Sequence, residues 1–328
     1  MTPSPEFLRQ YEALTRNVGF TPLTGRTIIE VTGSDRIQIL QNFTTNDVKR
    51  LQPGQGCEAF ITNSQGKTIG HIWIFCEGNR HFLDTTPGQA QTIIDHFNRY
   101  VISEDVTFTD RSNEFSDVLV AGNGAQALLS TLTGQKIPCE LLSHGTFQIA
   151  GHEVAIRRVD YAGRDSYIIQ FRPTDADPVS SALTNVGAIA CSHEAVESAR
   201  IEAGFPLFGL DITPDNLPQE VARDAKAISF TKGCYLGQET VARIDALGHV
   251  NRLLASIKFA SPEIPERGTE LLAAGQKVGE VTSAAWSPQL QAPLAIALLR
   301  RNQTKPGNEL ATNGGQAVVV QLPLAAPA

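Results

Sequence analysis

Lys232-Gly233-Cys234-Tyr235-Leu236-Gly237-Gln238-Glu239 is the stretch on which the reading of this chain turns. Cys234 stands between Gly233 and Gly237, with Lys232 two residues upstream and Gln238 and Glu239 just downstream. Glycine opens backbone angles closed to other residues and lets main chain approach a ligand closely, so the pattern predicts a cysteine presented on a tight turn. A neighbouring ammonium group favours thiolate over thiol, and thiolate is the form that attacks electrophiles or binds metal. Cys234 and Lys232 are therefore the candidate reactive residues. The alternative is a packed cysteine in a structural turn, because free cysteine is among the most buried residue types.

Working upstream, Ser192 suits the N-cap of a helix running through Glu194, Val196 and Arg200 to a stop at Gly204. The segment from Phe205 to Pro218 carries Pro206 and Pro214 among aromatic and acidic residues, which predicts an ordered loop lying over another part of the protein. Nearer the start, Thr27 to Val31 reads as a strand, followed by the turn Gly33-Ser34-Asp35 and a short amphipathic helix marked by Ile37, Leu40 and Phe43. Cys57 to Thr62 and Lys67 to Cys76 read as a hairpin around Asn63-Ser64-Gln65-Gly66. A second α+β unit follows, with helices from Ala125 to Leu132 and between Asp175 and Val186. After Gly248, β-type segments alternate with Pro and Gly turns, the pattern of a small barrel or sandwich.

At 328 residues and 41% hydrophobic composition, the chain exceeds one typical domain and predicts two or three. Met1 to Gln10 lacks the basic and apolar regions of a secretion signal. Ala292 to Leu299 falls far short of the roughly 20 apolar residues of a membrane-spanning helix. The five cysteines are odd in number and never form a CxxC pair, which points to a reducing cytoplasm and gives no metal signature. The histidines show no HxxxH or HxH grouping either. A net charge of -7 gives no global attraction to nucleic acid. Between Arg223 and Arg252, however, five basic residues face three acidic ones, an excess that suits either an anionic small ligand or an ordinary mixed-charge surface.

The eight residues from Lys232 to Glu239 resemble the signature of the YgfZ-like folate-binding proteins that assist iron-sulfur enzymes, a branch related to the T-protein of glycine cleavage. The segment Ala199 to Gly204 with Pro206, Gly209 and Asp211, and the segments Gly33-Ser34-Asp35 and Thr45-Asn46-Asp47-Val48, are similar to flanking parts of that family. The resemblance implies an α+β fold in which two α+β folate-binding units and a C-terminal β-barrel form a ring around a central channel that accepts tetrahydrofolate. Its expected boundaries are residues 1–115 for the first unit, 116–189 for the second, 190–247 for a return segment that carries the signature and completes the first unit, and 248–328 for the barrel. By position, Arg200 and Tyr161 match folate-contacting segments, and Arg243 either contacts the folate tail or pairs with Glu239.

Two departures stand out. Arg164 replaces the glutamate expected to hold the pterin, and a guanidinium has only donors where a carboxylate accepts paired hydrogen bonds. Gly70 and His71 stand where T-proteins carry the aspartates of a Gly-Gly-x-x-Asp-Asp hairpin, so the acid-base carboxylate is missing there; His71 could in principle replace it, but a lone histidine in an alternating strand more often reads as a structural or surface residue. The expected function is a tetrahydrofolate-binding, thiol-dependent accessory protein supporting iron-sulfur cluster assembly or repair. Its expected partners are a reduced folate and iron-sulfur client proteins or assembly factors, without nucleic acid or membrane, and it has no metal site built from protein ligands alone. A folate-dependent aminomethyltransferase is the alternative, and a scaffold in which Lys232 to Glu239 is merely an interdomain turn is a third reading.

Overall fold

A computed structural model describes residues 3–163 and 165–322, apart from the side chain of Leu247. Arg164, and with it the expected change of pterin contact, lies outside the described residues. Helix α1 (Pro5–Thr15) begins at Ser4, whose hydroxyl accepts the Phe7 N–H at 3.1 Å, with Pro5 in the first turn where it loses no helical hydrogen bond. It buries Phe7, Tyr11 and Leu14 on one face. That spacing is the helical signal in a segment read above only for its lack of a leader.

The first sheet comprises β2 (Thr27–Thr32), β3 (Gly56–Thr62), β4 (Thr68–Cys76), β5 (His81–Thr85) and β6 (Thr107–Asp110), in the order β3-β4-β5-β2-β6. Helices α2 (Arg36–Phe43) and α3 (Ala90–Asn98) accompany it. The β3–β4 hairpin forms as its sequence predicts: the Asn63 side chain accepts the N–H groups of Gln65 and Lys67, both at 2.9 Å, and Gly66 takes φ +76°.

The second sheet contains β7 (Ser116–Ala121), β8 (His144–Ile149), β9 (His152–Val159), β10 (Ser166–Phe171) and β11 (Ile189–Ala190), with α4 (Ala125–Thr133) and α5 (Ala176–Asn185). Its order corrects the expected boundary at the start of the chain. Strand β1 (Gly19–Leu23) lies between β11 and β7, so residues 1–115 do not form one unit. Phe20 explains the placement: it is buried in the core of the second sheet with Val118, Val120 and Tyr167. Helix α6 (His193–Ala203) follows, capped by Ser192 and ended by Gly204 at φ +69°, as its sequence predicts.

Beyond α7 (Asp224–Ala227) and α8 (Gln238–Leu247), the strands β12 (Arg252–Phe259), β13 (Glu270–Ala273), β14 (Gln276–Ser287), β15 (Ala292–Arg300), β16 (Glu309–Thr312) and β17 (Gly315–Val320) close a barrel. Ile257, Leu271, Val281, Leu299 and Val319 fill its core. Barrel, first sheet and second sheet make up the expected two α+β units plus β-barrel.

Buried polar groups join the three units. Asp84 of β5 accepts Arg26 Nε at 2.7 Å and Arg157 Nη1 of β9 at 3.1 Å, which ties the first sheet to the second. Tyr11 of α1 donates to Glu202 of α6 at 2.6 Å, and Ser287 of β14 donates to the same carboxylate at 2.5 Å. Pairing of this kind is what makes burial of such charges tolerable.

Candidate functional site

The signature loop is docked against the first unit. Leu236 N donates to the Asn42 carbonyl at 2.9 Å, and the Thr62 hydroxyl donates to the Leu236 carbonyl at 2.6 Å. Gly237, at φ +82°, is where the loop meets the β3–β4 hairpin: a Cβ there would lie 2.4 Å from the Asn63 carbonyl oxygen and 2.9 Å from Gly66 Cα. No other residue fits that approach. Gly233 faces open space, so its expected steric role is not seen. Gln238 and Glu239 open α8, and Arg243 lies one turn on; Glu239 and Arg243 are exposed, and no ion pair joins them among the described residues.

Cys234 is exposed, which removes the packed-cysteine alternative. Lys232 behaves differently from its expected role. Its side chain is buried, and Nζ donates to the carbonyls of Gln41 and Thr44 at 2.6 Å and of Asn46 at 2.8 Å. It also lies 5.0 Å from the centre of the buried Tyr235 ring. Burial pushes the Lys232 ammonium down to about 8, partly opposed by the charge of Asp47. The ammonium is thus committed to carbonyls at the end of α2, and the correction is that Lys232 anchors the loop while the thiol points outward. Lys232→Met should leave these carbonyls unpaired and cost about 2 kcal/mol of stability. Urea denaturation checks this, and an unchanged midpoint would show that the anchor is dispensable.

The polar centre of the molecule lies elsewhere, on the face of β3 and β4 that carries Glu58, His71 and Trp73. His71 Nε2 lies 2.7 Å from Glu58 Oε1. Arg223 donates to both Glu58 oxygens and to Asp160 Oδ2 at 2.9 Å, while Lys226 Nζ reaches the same Asp160 oxygen at 2.5 Å. Burial alone would raise Glu58, but the Arg223 guanidinium and the hydrogen bond from His71 outweigh it and bring the carboxyl down to about 2. His71 is buried in its strand, and a carboxylate is present beside it, supplied by the neighbouring strand. Alternation along β3 was the available signal, because Glu58 shares a face with Phe60 in a buried strand.

Phe205 covers this centre. Its ring lies 5.9 Å from His71, 5.4 Å from Trp73 and 5.3 Å from Tyr161, and the Arg223 guanidinium sits 4.7 Å from its centre. The loop after α6 therefore lies over the first sheet, as its composition predicts. Tyr161 is buried against it. Arg200 is buried behind it, with its donors directed to Glu197, the Phe205 carbonyl at 2.7 Å and Asp211 at 3.1 Å.

Two cavities flank this loop, and Pro206 lines both. The larger, about 380 Å³, opens between Arg223, Lys226 and the barrel residues Leu254 and Ile296. The smaller, about 20 Å³, is bounded by Arg26, His71, Trp73, Asp84 and Phe205. Cys234 lines neither, so the thiol and the cavities are separate features. Among the described residues no group of three or more His, Cys, Asp or Glu is arranged to hold a metal ion, and no helix is long and apolar enough to cross a membrane.

Residues 4–231 match the GCVT N-terminal domain family, and residues 252–324 match the glycine cleavage T-protein C-terminal barrel domain. An aminomethyltransferase of Nostoc sp. is 29% identical over 332 residues, covering 96% of this chain and 86% of that one. An aminomethyltransferase of Bacillus subtilis is 26% identical over 308 residues, covering 91% and 84%. The crystal structure of the glycine cleavage system aminomethyltransferase T from Bartonella henselae superposes with a TM-score of 0.86 at 21% identity, covering 97% of this chain and 89% of that one.

Proposed function

Because the chain belongs to the glycine cleavage T-protein family, we propose that it binds a reduced folate where its three units meet. The supporting observations are the cluster of Tyr161, Phe205, Trp73 and His71, the last three of which line the smaller cavity, and, on the other side of Pro206, a ligand-sized cavity edged by Arg223 and Lys226. Flat rings suit a pterin, and an exposed cation suits a carboxylate tail. In this reading Arg200 holds the Phe205 loop in place, and Tyr161 packs against the same ring. Arg243, exposed on α8, is left to the folate tail. Equilibrium dialysis with tetrahydrofolate tests the proposal, and absence of saturable binding would end it.

A bound reduced folate supplies an amine that carries a one-carbon unit. The names of the relatives favour one-carbon transfer of the aminomethyltransferase type over a role with iron-sulfur enzymes. Gly70 and His71 lack the hairpin carboxylates, but the Glu58–His71 pair brings an acid-base group to the same strands. Formation of methylenetetrahydrofolate with an aminomethylated lipoyl carrier protein is the decisive assay, and a rate at background would remove this reading.

The exposure of Cys234 on a loop fixed by Lys232 and Gly237 favours a second reading, the thiol-dependent support of iron-sulfur cluster assembly or repair by a YgfZ-like protein. Here the partners are iron-sulfur client proteins or assembly factors. Cys234→Ala and Cys234→Ser should both abolish rescue of iron-sulfur enzyme activity while leaving the fold intact. Full rescue by the two variants would eliminate the thiol role.

A further inference from the structure

Resting on the folate-binding reading, we propose that His71 is the ligand-facing proton acceptor of the site, with Glu58 as the positioning residue that fixes its tautomer. The geometry supplies each step. Glu58 is buried, ionised and gripped by Arg223, so its oxygens accept and do not donate. The hydrogen on His71 therefore sits on Nε2, which lies 2.7 Å from Glu58 Oε1. Nδ1 is left with a lone pair. It has no hydrogen-bond partner among the described residues, and His71 lines the smaller cavity.

Stacking between Phe60 at 5.1 Å and Phe205 at 5.9 Å holds the imidazole plane. The charged groups around it are Glu58 and Arg223 in contact, Asp160 beyond Arg223, and Arg26 and Asp84 across the cavity. This arrangement places one oriented acceptor, without a net anionic charge, toward a planar heterocycle that bears an N–H. His71 accepts a hydrogen bond at Nδ1, and when it takes the proton the resulting imidazolium keeps its Nε2–H on Glu58. At about 20 Å³ the smaller cavity holds roughly one water, so binding swings the Phe205 ring away from Trp73 while Arg200 keeps its hold on the Phe205 carbonyl.

The experiment uses the full-length protein and two readouts. Nitrogen-15 spectra of histidine-labelled protein at alkaline pH are expected to show His71 protonated on Nε2, and loss of that fixed tautomer in Glu58→Gln. An Nδ1–H tautomer in the wild type overturns the proposal whether or not folate binds. Binding is then followed by Trp73 fluorescence, with Trp73→Phe as the control for Trp286. Wild type should bind tetrahydrofolate about tenfold more tightly than His71→Phe, the effect of one hydrogen bond in a buried site. His71→Phe keeps the ring packing and leaves the Glu58–Arg223 pair intact. The wild-type advantage should be absent for 5-formyltetrahydrofolate, whose N5 carries no hydrogen. Equal affinity of wild type and His71→Phe for tetrahydrofolate overturns the acceptor role. If no folate binds the wild type while the Nε2–H tautomer is present, the folate reading falls and the Glu58–His71 arrangement stands.

Discussion

Arg200→Met is expected to destabilise the protein by about 3 to 5 kcal/mol, the cost of breaking a buried ion pair by removing one partner. Asp211, fully buried like Arg200, would keep only neutral donors: Thr282 and Ser283 of the barrel, each at 2.6 Å, and Leu207 N at 2.9 Å. The Phe205 carbonyl would lose its 2.7 Å donor at the same time. Because Asp211 bridges the Phe205 loop and the barrel, the damage should spread to the cleft as well as to α6. Urea denaturation gives the magnitude. Arg200→Lys should recover only part of it, since an ammonium cannot reproduce the fork that grips Glu197 with two nitrogens. A loss below about 1 kcal/mol in Arg200→Met would show that Asp211 finds other compensation. Normal stability with lost folate binding would instead mark Arg200 as a ligand contact.

The second large effect concerns acid pH. His81 is fully buried on β5, and neither ring nitrogen has a partner among the described residues. Burial, then the neighbouring Arg36 and His144, depress it from 6.5 to about 4. The unfolded chain therefore takes up a proton on this histidine that the folded chain refuses. Stability is unaffected by His81 above the unfolded value of 6.5 and falls as pH drops from there toward about 4. The full loss is about 3 kcal/mol. Asp224, raised to about 6 by burial and the charge of Asp245, works in the opposite direction, because its folded form binds a proton first. The difference between wild type and His81→Phe isolates the histidine: the variant's profile should be flatter across this window. Parallel profiles would show that His81 has found a partner, such as a buried water.

Much of the architecture was legible because it is written in local patterns. The Asn63 to Gly66 turn, the Ser192 cap with its Gly204 stop, and the alternating segments after Gly248 each carry their own backbone instruction, and each formed as read. The glycines around Cys234 likewise announced a close backbone approach, which Gly237 meets, but left the thiol open between a presented and a packed position.

Partnerships between distant residues were not legible. The placement of β1 depends on which sheet buries Phe20. The role of Lys232 depends on carbonyls 186 to 191 positions earlier, brought to it by the docking of the signature loop on α2. The pairing of Glu58 with His71 spans two strands, and its grip by Arg223 spans 165 residues. By itself the sequence determined many of the elements and their turns, since these follow from backbone preference and side-chain period over a few residues, while the exposure of Cys234 was decided by the fold. Only the tertiary structure decided which charges meet, because a buried ionic group is stabilised by whatever partner the folded chain brings within hydrogen-bond reach.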